Sequence, residues 1–200
     1  MQRIYSNFDH KKATQALNHF AQDEGGSINK MKALKLIYFA DRYHLRKYGR
    51  LITNDTYFAM NYGPVPSGVK DIAEASSFLD QSEKDYSSQY IKTIDNLTLQ
   101  SIKEADDSVF SETDLEALKF AWDTFGYLDQ FQLFKVTHEY PEWTKHEQGL
   151  KLNSRIQMDL QDFLKDPDGP VNKCFELNEE DRAIRSEHLS EMAHIQSLWS

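Results

Sequence analysis

Apolar residues recur at helical spacing along most of the chain, and polar turns, glycines and prolines interrupt them. The clearest run covers residues 29–48, where one stripe contains Met31, Leu34, Tyr38, Leu45 and Tyr48. Between Ala33 and Ala40 only Lys35 is polar, and a helix that is apolar on nearly all sides is normally central to a core. Gly49 suits the left-handed cap that ends many helices. The sequence therefore predicts a long central helix here.

Six further segments show the 3.6-residue period of an amphipathic helix. Residues 111–125 begin with a capping box, in which Ser111 and Asp114 satisfy each other's backbone N–H groups. The last segment begins at Asn178, and one of its faces contains Ile184, His188, Met192, Ile195 and Trp199. We predict helices over residues 12–22, 67–79, 111–125, 129–139, 154–164 and 178–199.

Three other runs of residues predict strands. Residues 56–62 are rich in aromatic and β-favouring side chains. We expect Gly63-Pro64-Val65-Pro66 to form a rigid exit that cannot continue a strand interior, because neither proline donates an N–H. Residues 90–94 and 97–102 flank Asp95-Asn96, a pair typical of a tight hairpin. The polar residues 80–88 are predicted to form a loop.

Together these elements predict an α+β protein that is predominantly α-helical, with one or two small antiparallel strand pairs. Residues 166–170 contain two prolines and a glycine and predict a break in the chain. We therefore expect a compact domain over residues 1–149. A C-terminal helical extension over residues 150–200 is expected to pack on that domain or on a partner.

Composition narrows the class of protein. A formal net charge of -9 makes the chain a poor general binder of nucleic acid, although it suits a basic protein partner or simply maintains solubility. The single cysteine, Cys174, excludes an internal disulfide and indicates a reducing, cytoplasmic environment. No apolar run approaches the roughly 20 residues that cross a bilayer, so no membrane association is expected.

The residues offer little support for catalysis. Phosphate-binding and nucleophile-elbow motifs are absent from the sequence. Asp41 and His44 can share a helix face, and we interpret them as a pair that satisfies each other at the edge of the core. His138 and His146 cannot share one helical face because Pro141 separates them, so structural hydrogen bonds are expected there. The sequence favours a binding protein over an enzyme and predicts no catalytic residue, cofactor or metal.

A partner surface is predicted at two places. On the strand over residues 56–62 one face must be core, and the other face either presents aromatic side chains to a partner or packs as well. The stripe on the last helix is either core or a surface that docks on a partner. The predicted partner-binding residues are Tyr57, Tyr62, Pro64, Pro66, His188, Met192 and Trp199.

Several separated motifs resemble the Panacea domain of the SocA-like, phage-associated (GepA-like) antitoxins. In the first half they cover residues 35–45, 48–55 and 62–67. In the second half they are Ser111 to Asp114, Ala117-Leu118, Phe125-Gly126, Leu133, Thr137-His138 and Trp143-Thr144. The resemblance extends over about residues 12–146 and keeps the motifs in order.

The resemblance implies a cytoplasmic antitoxin, active in phage defence, that neutralises a cognate toxin by direct protein–protein binding. Toxins linked to the family include alarmone-synthetase-like enzymes that block translation, and the acidic chain predicts a basic toxin that uses nucleotides or RNA. One alternative is a proteolytic adapter that delivers its toxin to a protease. Another is a DNA-binding regulator of helix-turn-helix type, although the basic residues from Lys30 to Arg50 alternate with residues that must be buried.

Overall fold

Helix α2 (Lys30–Tyr48) is the centre of the structure, and the other elements pack around it. The computed structural model describes residues 8–168 and 176–198. The Asn29 side chain caps the first turn of α2 by accepting hydrogen bonds from Met31 N and Lys32 N, and Gly49 ends the helix with a φ of 82°. The predicted central helix and its glycine cap are confirmed.

The described residues confirm the predicted class, since they are mainly helical with two small antiparallel sheets. The other α-helices are α1 (His10–Asp23), α3 (Ser67–Ala73), α4 (Gln81–Ser87), α5 (Glu112–Phe125), α6 (Gln130–Thr137), α7 (Pro141–Thr144) and α8 (Glu179–Leu198). The strands are β1 (Ser27–Asn29), β2 (Tyr57–Met60), β3 (Gly63–Pro66), β4 (Ile91–Thr93), β5 (Thr98–Ser101) and β6 (Arg155–Gln157).

The first sheet has the order β1-β5-β4. Its β4–β5 hairpin confirms the turn predicted at Asp95-Asn96. Strand β1 adds a third strand through the pairing of Ile28 with Leu99, and both side chains are buried. The sequence did not predict β1 because three residues are too few to show alternation.

The second sheet has the order β3-β2-β6 and corrects the prediction for the Gly-Pro-Val-Pro segment. This segment is β3, an edge strand that pairs with β2. Ser67 N donates to Thr56 O. Alternate residues of a strand point their N–H groups to the same side, so the Val65 N–H also faces β2, whereas the nitrogen atoms of Pro64 and Pro66 point away from β2. The prolines are tolerated because an edge strand needs donors on one side only.

Three other predictions were wrong. Residues 80–88 contain α4, whose capping box joins Asp80 and Glu83. The predicted helix over residues 154–164 is instead β6, which pairs with β2, followed by a 3-10 helix, Leu160–Leu164. Helix α3 ends at Ala73, before the predicted Leu79. The helices predicted near residues 12–22, 111–125 and 129–139 are present as α1, α5 and α6.

The core lies between α2, α5 and the inner face of the second sheet. Phe39 of α2 stacks on Phe125 of α5 with ring centroids 3.9 Å apart. Tyr38 meets Tyr57 and Phe163 edge-on at 6.0 and 5.8 Å, which joins β2 and the 3-10 helix to α2. This packing fixes the position of the β2–β3 hairpin on the surface of α2.

Candidate partner-binding surface

Tyr57 belongs to the core. Its side chain is 1% exposed, and its hydroxyl donates to Asp41 Oδ2 at 2.8 Å. Burial and the neighbouring carboxylate raise the pKa of Tyr57 well above its ordinary value, so the hydroxyl remains a donor. The alternation along β2 points this side chain inward, and we remove Tyr57 from the predicted surface.

The prolines of β3 are also buried. Pro64 O accepts a hydrogen bond of 2.7 Å from Lys35 Nζ, and burial lowers the pKa of Lys35 to about 7. Gly63 has a φ of 93°, and a Cβ at this position would lie 2.6 Å from Thr137 Oγ1 and 2.9 Å from Lys35 Nζ. The Pro64 carbonyl therefore ties the hairpin to α2. Because Pro64 and Pro66 are both buried, they do not form a surface, which corrects their predicted role.

Asp41 and His44 serve the fold, but they do not bond to each other as predicted. Asp41 Oδ1 accepts from Ile52 N at 2.6 Å and its Oδ2 from the Thr53 hydroxyl at 2.7 Å. His44 Nδ1 lies 2.8 Å from Arg50 O. Both side chains are fully buried. They order the loop between α2 and β2, and neither is in reach of a substrate.

Tyr62 is the exposed member of an aromatic ladder, by which we mean Tyr62, Phe134, His138 and Trp143. Tyr62 lies at the tip of the β2–β3 hairpin with 66% of its surface exposed. Ring centroids along the ladder are separated by 5.9, 4.2 and 3.4 Å. Trp143 Nε1 donates to Met60 O at 2.9 Å, which anchors the inner end of the ladder to β2. The tyrosine is thus an exposed aromatic side chain on a rigid support.

Helix α6 extends this surface with Phe131, which is 60% exposed. The sequence analysis missed Phe131, Phe134 and His138 as a group, although their spacing of three and then four residues places them on one face of α6. Burial, and secondly the charge of Lys35, lowers the pKa of His138 to about 4, so its ring is neutral at pH 7. A neutral ring stacks on Trp143 without bringing a charge into the ladder.

The last helix places its predicted residues on the surface. His188 is exposed, and Met192 is 48% exposed. Trp199 lies outside the described residues. The predicted start of this helix at Asn178 is confirmed, because Asn178 Oδ1 caps the helix by accepting from Asp181 N at 2.8 Å.

The basic residues of α2 are used inside the protein. Lys30 Nζ donates to Asp95 O at 2.6 Å, and Arg42 Nε donates to Glu142 Oε1 at 2.7 Å. Tyr38 donates to the same Glu142 oxygen at 2.6 Å. The buried cations of this helix are Lys30, Lys32, Lys35, Arg42 and Arg46. Side chains committed in this way cannot neutralise phosphates, which argues against a DNA-binding surface on α2.

The buried carboxylates of the described residues are engaged in structural hydrogen bonds and ion pairs. Asp41, Asp114 and Glu142 are each 0% exposed, and cationic or hydroxyl donors reach all three. Within residues 8–168 and 176–198, no group of three or more His, Cys, Asp or Glu side chains could hold a metal. Cys174 lies outside these ranges.

These features define a helical α+β domain that buries many of its charged groups and exposes aromatic and aliphatic side chains on a hairpin tip and on two helices, among other places. The chain belongs to the family described as antitoxin SocA-like, Panacea domain, whose model matches residues 34–144. This match begins in α2 and ends with α7, and it includes the aromatic ladder. Comparisons with curated proteins and with solved structures find no match. No helix in the described part of the chain has the length and apolar character needed to span a membrane.

Proposed function

We propose that this protein is the antitoxin of a toxin–antitoxin pair and neutralises its cognate toxin by direct protein–protein contact. Membership of the SocA-like Panacea family is the observation that carries this proposal. The contact covers the toxin's active site or the entry path of its substrate, so the antitoxin itself needs no catalytic group. This mode of action is compatible with an interior in which the carboxylates of α2, α5 and α7 are sealed.

The aromatic ladder is the part of the Panacea domain that we propose to contact the toxin. Tyr62 and Phe131 combine large apolar area with little conformational entropy to lose, as is typical of interface hot spots. Because the ring of Tyr62 rests on Phe134, which His138 and Trp143 support in turn, little ordering is needed on binding. We propose His188, Met192 and Trp199 as further contact residues, in a C-terminal extension over residues 150–200 that follows a domain over residues 1–149.

The charge of the chain indicates the chemistry of the partner. With 32 acidic against 23 basic residues, the protein attracts a basic toxin at long range and increases the rate of encounter. A toxin that binds nucleotides or RNA, such as an alarmone-synthetase-like enzyme that blocks translation, carries the complementary charge in its substrate site. We place this pair in the cytoplasm and in phage defence.

Co-expression with the product of the adjacent gene tests the proposal. We expect that product to arrest growth alone, and we expect the full chain to restore growth and to co-purify with it. The proposal fails if the adjacent product is harmless, or if it stays toxic when both proteins are made at equal levels. Tyr62→Ser is the informative variant, with Leu152→Ser as a control because Leu152 is an exposed apolar residue outside the ladder.

The proteolytic adapter is a second mechanism for the same family, and the toxin's half-life distinguishes it from simple occlusion. If the antitoxin acts by occlusion, the toxin persists in cells while it is inactive. If the antitoxin is an adapter, the toxin disappears only when the antitoxin is present, and purified antitoxin does not inhibit purified toxin. A DNA-binding role would instead require tight, salt-sensitive binding to the operator of its own operon.

A further inference from the structure

Helix α8 departs from the usual arrangement of a surface helix, because four of its larger apolar side chains face solvent, while polar side chains and Leu189 face the protein. A surface helix normally packs its apolar stripe against the core. Here the apolar residues of α8 that are about half exposed or more are Ile184 (50%), Met192 (48%), Ile195 (50%) and Leu198 (68%). These residues belong to the stripe that would otherwise be expected to pack on the domain.

Polar contacts fix the inner side of α8. Arg185 Nη2 donates to Lys47 O at 2.6 Å, at the C-terminal end of α2. The hydroxyl of Ser186 donates to Gln161 Oε1 at 2.8 Å, and Gln161 Nε2 donates in return to Ser186 O at 3.0 Å. Arg182 pairs with Asp166. These bonds hold the first half of the helix in one rotation about its axis, so the outward direction of the stripe follows from specific contacts.

Acidic residues accompany the apolar stripe. Glu187 and Glu191 are exposed and lie between Ile184 and Ile195 on successive turns of the outer face. The two arginines of the helix point the other way and bond to the protein. The outer face therefore presents aliphatic side chains, negative charge and the imidazole of His188, with no lysine or arginine among its described residues.

We propose that the outer face of α8 seats in an apolar groove of the toxin whose rim carries lysine or arginine side chains. This inference rests on the proposed function and names the surface and the chemistry through which the toxin is bound. Burial of the four apolar side chains supplies affinity, and pairing of Glu187 and Glu191 with the basic rim fixes register and selects the partner.

The charge pattern distinguishes this partner from other occupants. If two copies met through the outer faces of α8, Glu187 and Glu191 would face other carboxylates or apolar side chains, and like charges across an interface are unfavourable. A bilayer is disfavoured as well, since helices that lie on membranes carry Lys and Arg on their polar face to meet anionic lipids. A basic protein groove satisfies both the apolar and the acidic parts of the surface.

Size indicates that α8 supplies part of the interface. Its 20 residues extend about 30 Å. The area that one face of such a helix can bury is smaller than the roughly 800 Å² that each partner buries in a stable complex. A second contact surface is therefore required, and the aromatic ladder is the surface we assign to it.

The test measures affinity between the full-length protein and the purified product of the adjacent gene, by calorimetry at low and at physiological salt. Ile184→Ser with Ile195→Ser is expected to weaken binding by about tenfold or more. Glu187→Lys with Glu191→Lys is expected to weaken it similarly and to reduce its salt dependence. The thermal unfolding of both variants should match the wild type, because the substituted side chains are exposed.

Two matched controls accompany these variants. Leu97→Ser with Leu152→Ser removes two exposed leucines outside α8, and Glu104→Lys with Glu147→Lys makes the same change in net charge elsewhere. Both control variants should bind like the wild type.

Each contrary result has a distinct meaning. If the wild type neutralises the toxin and the α8 variants bind with unchanged affinity, this inference is wrong and the proposed function survives. If the wild type neither binds nor neutralises, the proposed function itself fails. If light scattering shows a dimer that Ile184→Ser with Ile195→Ser converts to a monomer, a second copy occupies the face and the inference is overturned. If removal of residues 1–7 exposes α8 to hydrogen exchange, the chain's own N-terminus covers it, with the same consequence.

Discussion

Replacement of Lys35 by methionine tests what a buried charge costs in the free energy of unfolding. The Lys35 side chain is 1% exposed, and it donates a hydrogen bond to Pro64 O in β3, the strand that follows Tyr62. Burial lowers the pKa of Lys35 from its ordinary 10.5 to about 7. Between these values the folded state binds fewer protons than the unfolded state, so stability must rise with pH across this window. Below pH 7 the lysine is charged in both states and the desolvation cost is fully present.

The magnitude follows from the shift in pKa. One pKa unit corresponds to about 1.36 kcal/mol, so the buried charge costs roughly 4 to 5 kcal/mol below pH 7. From pH 7.5 to 9.5 the wild type should gain about 2.5 kcal/mol of stability from this group alone. Lys35→Met cannot titrate there, although it loses the hydrogen bond to Pro64 O, a loss of about 1 kcal/mol that does not depend on pH.

The assay is urea unfolding of the wild type and Lys35→Met at pH 7.5, 8.5 and 9.5. We expect the variant to be the more stable protein at pH 7.5, and we expect its advantage to shrink by about 2.5 kcal/mol at pH 9.5. Lys92→Met, at an exposed position of β4, should keep a constant difference from the wild type. A constant difference for Lys35→Met as well would refute the reasoning, because it would mean that Lys35 does not titrate in this range.

Three further predictions concern the hairpin, the core and the partner surface. Gly63→Ala should destabilise the protein by about 2 kcal/mol more than Gly25→Ala in thermal unfolding, because both glycines have a φ near 92° but only Gly63 lacks room for a Cβ. Arg42→Met should cost about 3–5 kcal/mol in chemical unfolding by leaving Glu142 without its buried cation, whereas Lys119→Met, at an exposed pair, should cost at most about 0.5 kcal/mol. If Gly63→Ala and Gly25→Ala, or Arg42→Met and Lys119→Met, destabilised the protein equally, the result would contradict the packing described. Tyr62→Ser should leave unfolding within about 0.5 kcal/mol of the wild type and weaken toxin binding in a pull-down; a binding loss caused by unfolding would contradict this role.

The helices that the sequence predicted correctly are those whose signals are local. The cap of α2 needs only Asn29 and Gly49, and the capping box of α5 needs only Ser111 and Asp114. Such helix boundaries depend on hydrogen bonds between residues no more than four positions apart, so the boundaries can be predicted from the sequence alone. The same signals predicted the start of α8 at Asn178.

The wrong predictions share a cause that is not local. Residues 154–164 carry apolar residues at helical spacing, but the backbone of β6 finds partners on β2, some hundred residues earlier. The prolines of β3 are acceptable only because no strand lies on the other side of that strand. Helix α4 is the exception, since its capping box is local and was present in a polar stretch that we interpreted as a loop.

The sequence by itself determined the class of the protein, its central helix and the family to which it belongs, since these depend on periodicity, caps and ordered motifs. The tertiary structure alone decided which side chains a partner can reach. Tyr57 and Tyr62 look alike in the sequence, yet the pairing of β2 with β3 and β6 puts one against Asp41 and the other in solvent. Likewise the apolar stripe of α8 has the period of a core helix, and it is the contacts of Arg182, Arg185 and Ser186 with other elements, together with the packing of Leu189, that turn the stripe outward. Periodicity shows that a face exists, whereas contacts between distant segments determine what it meets.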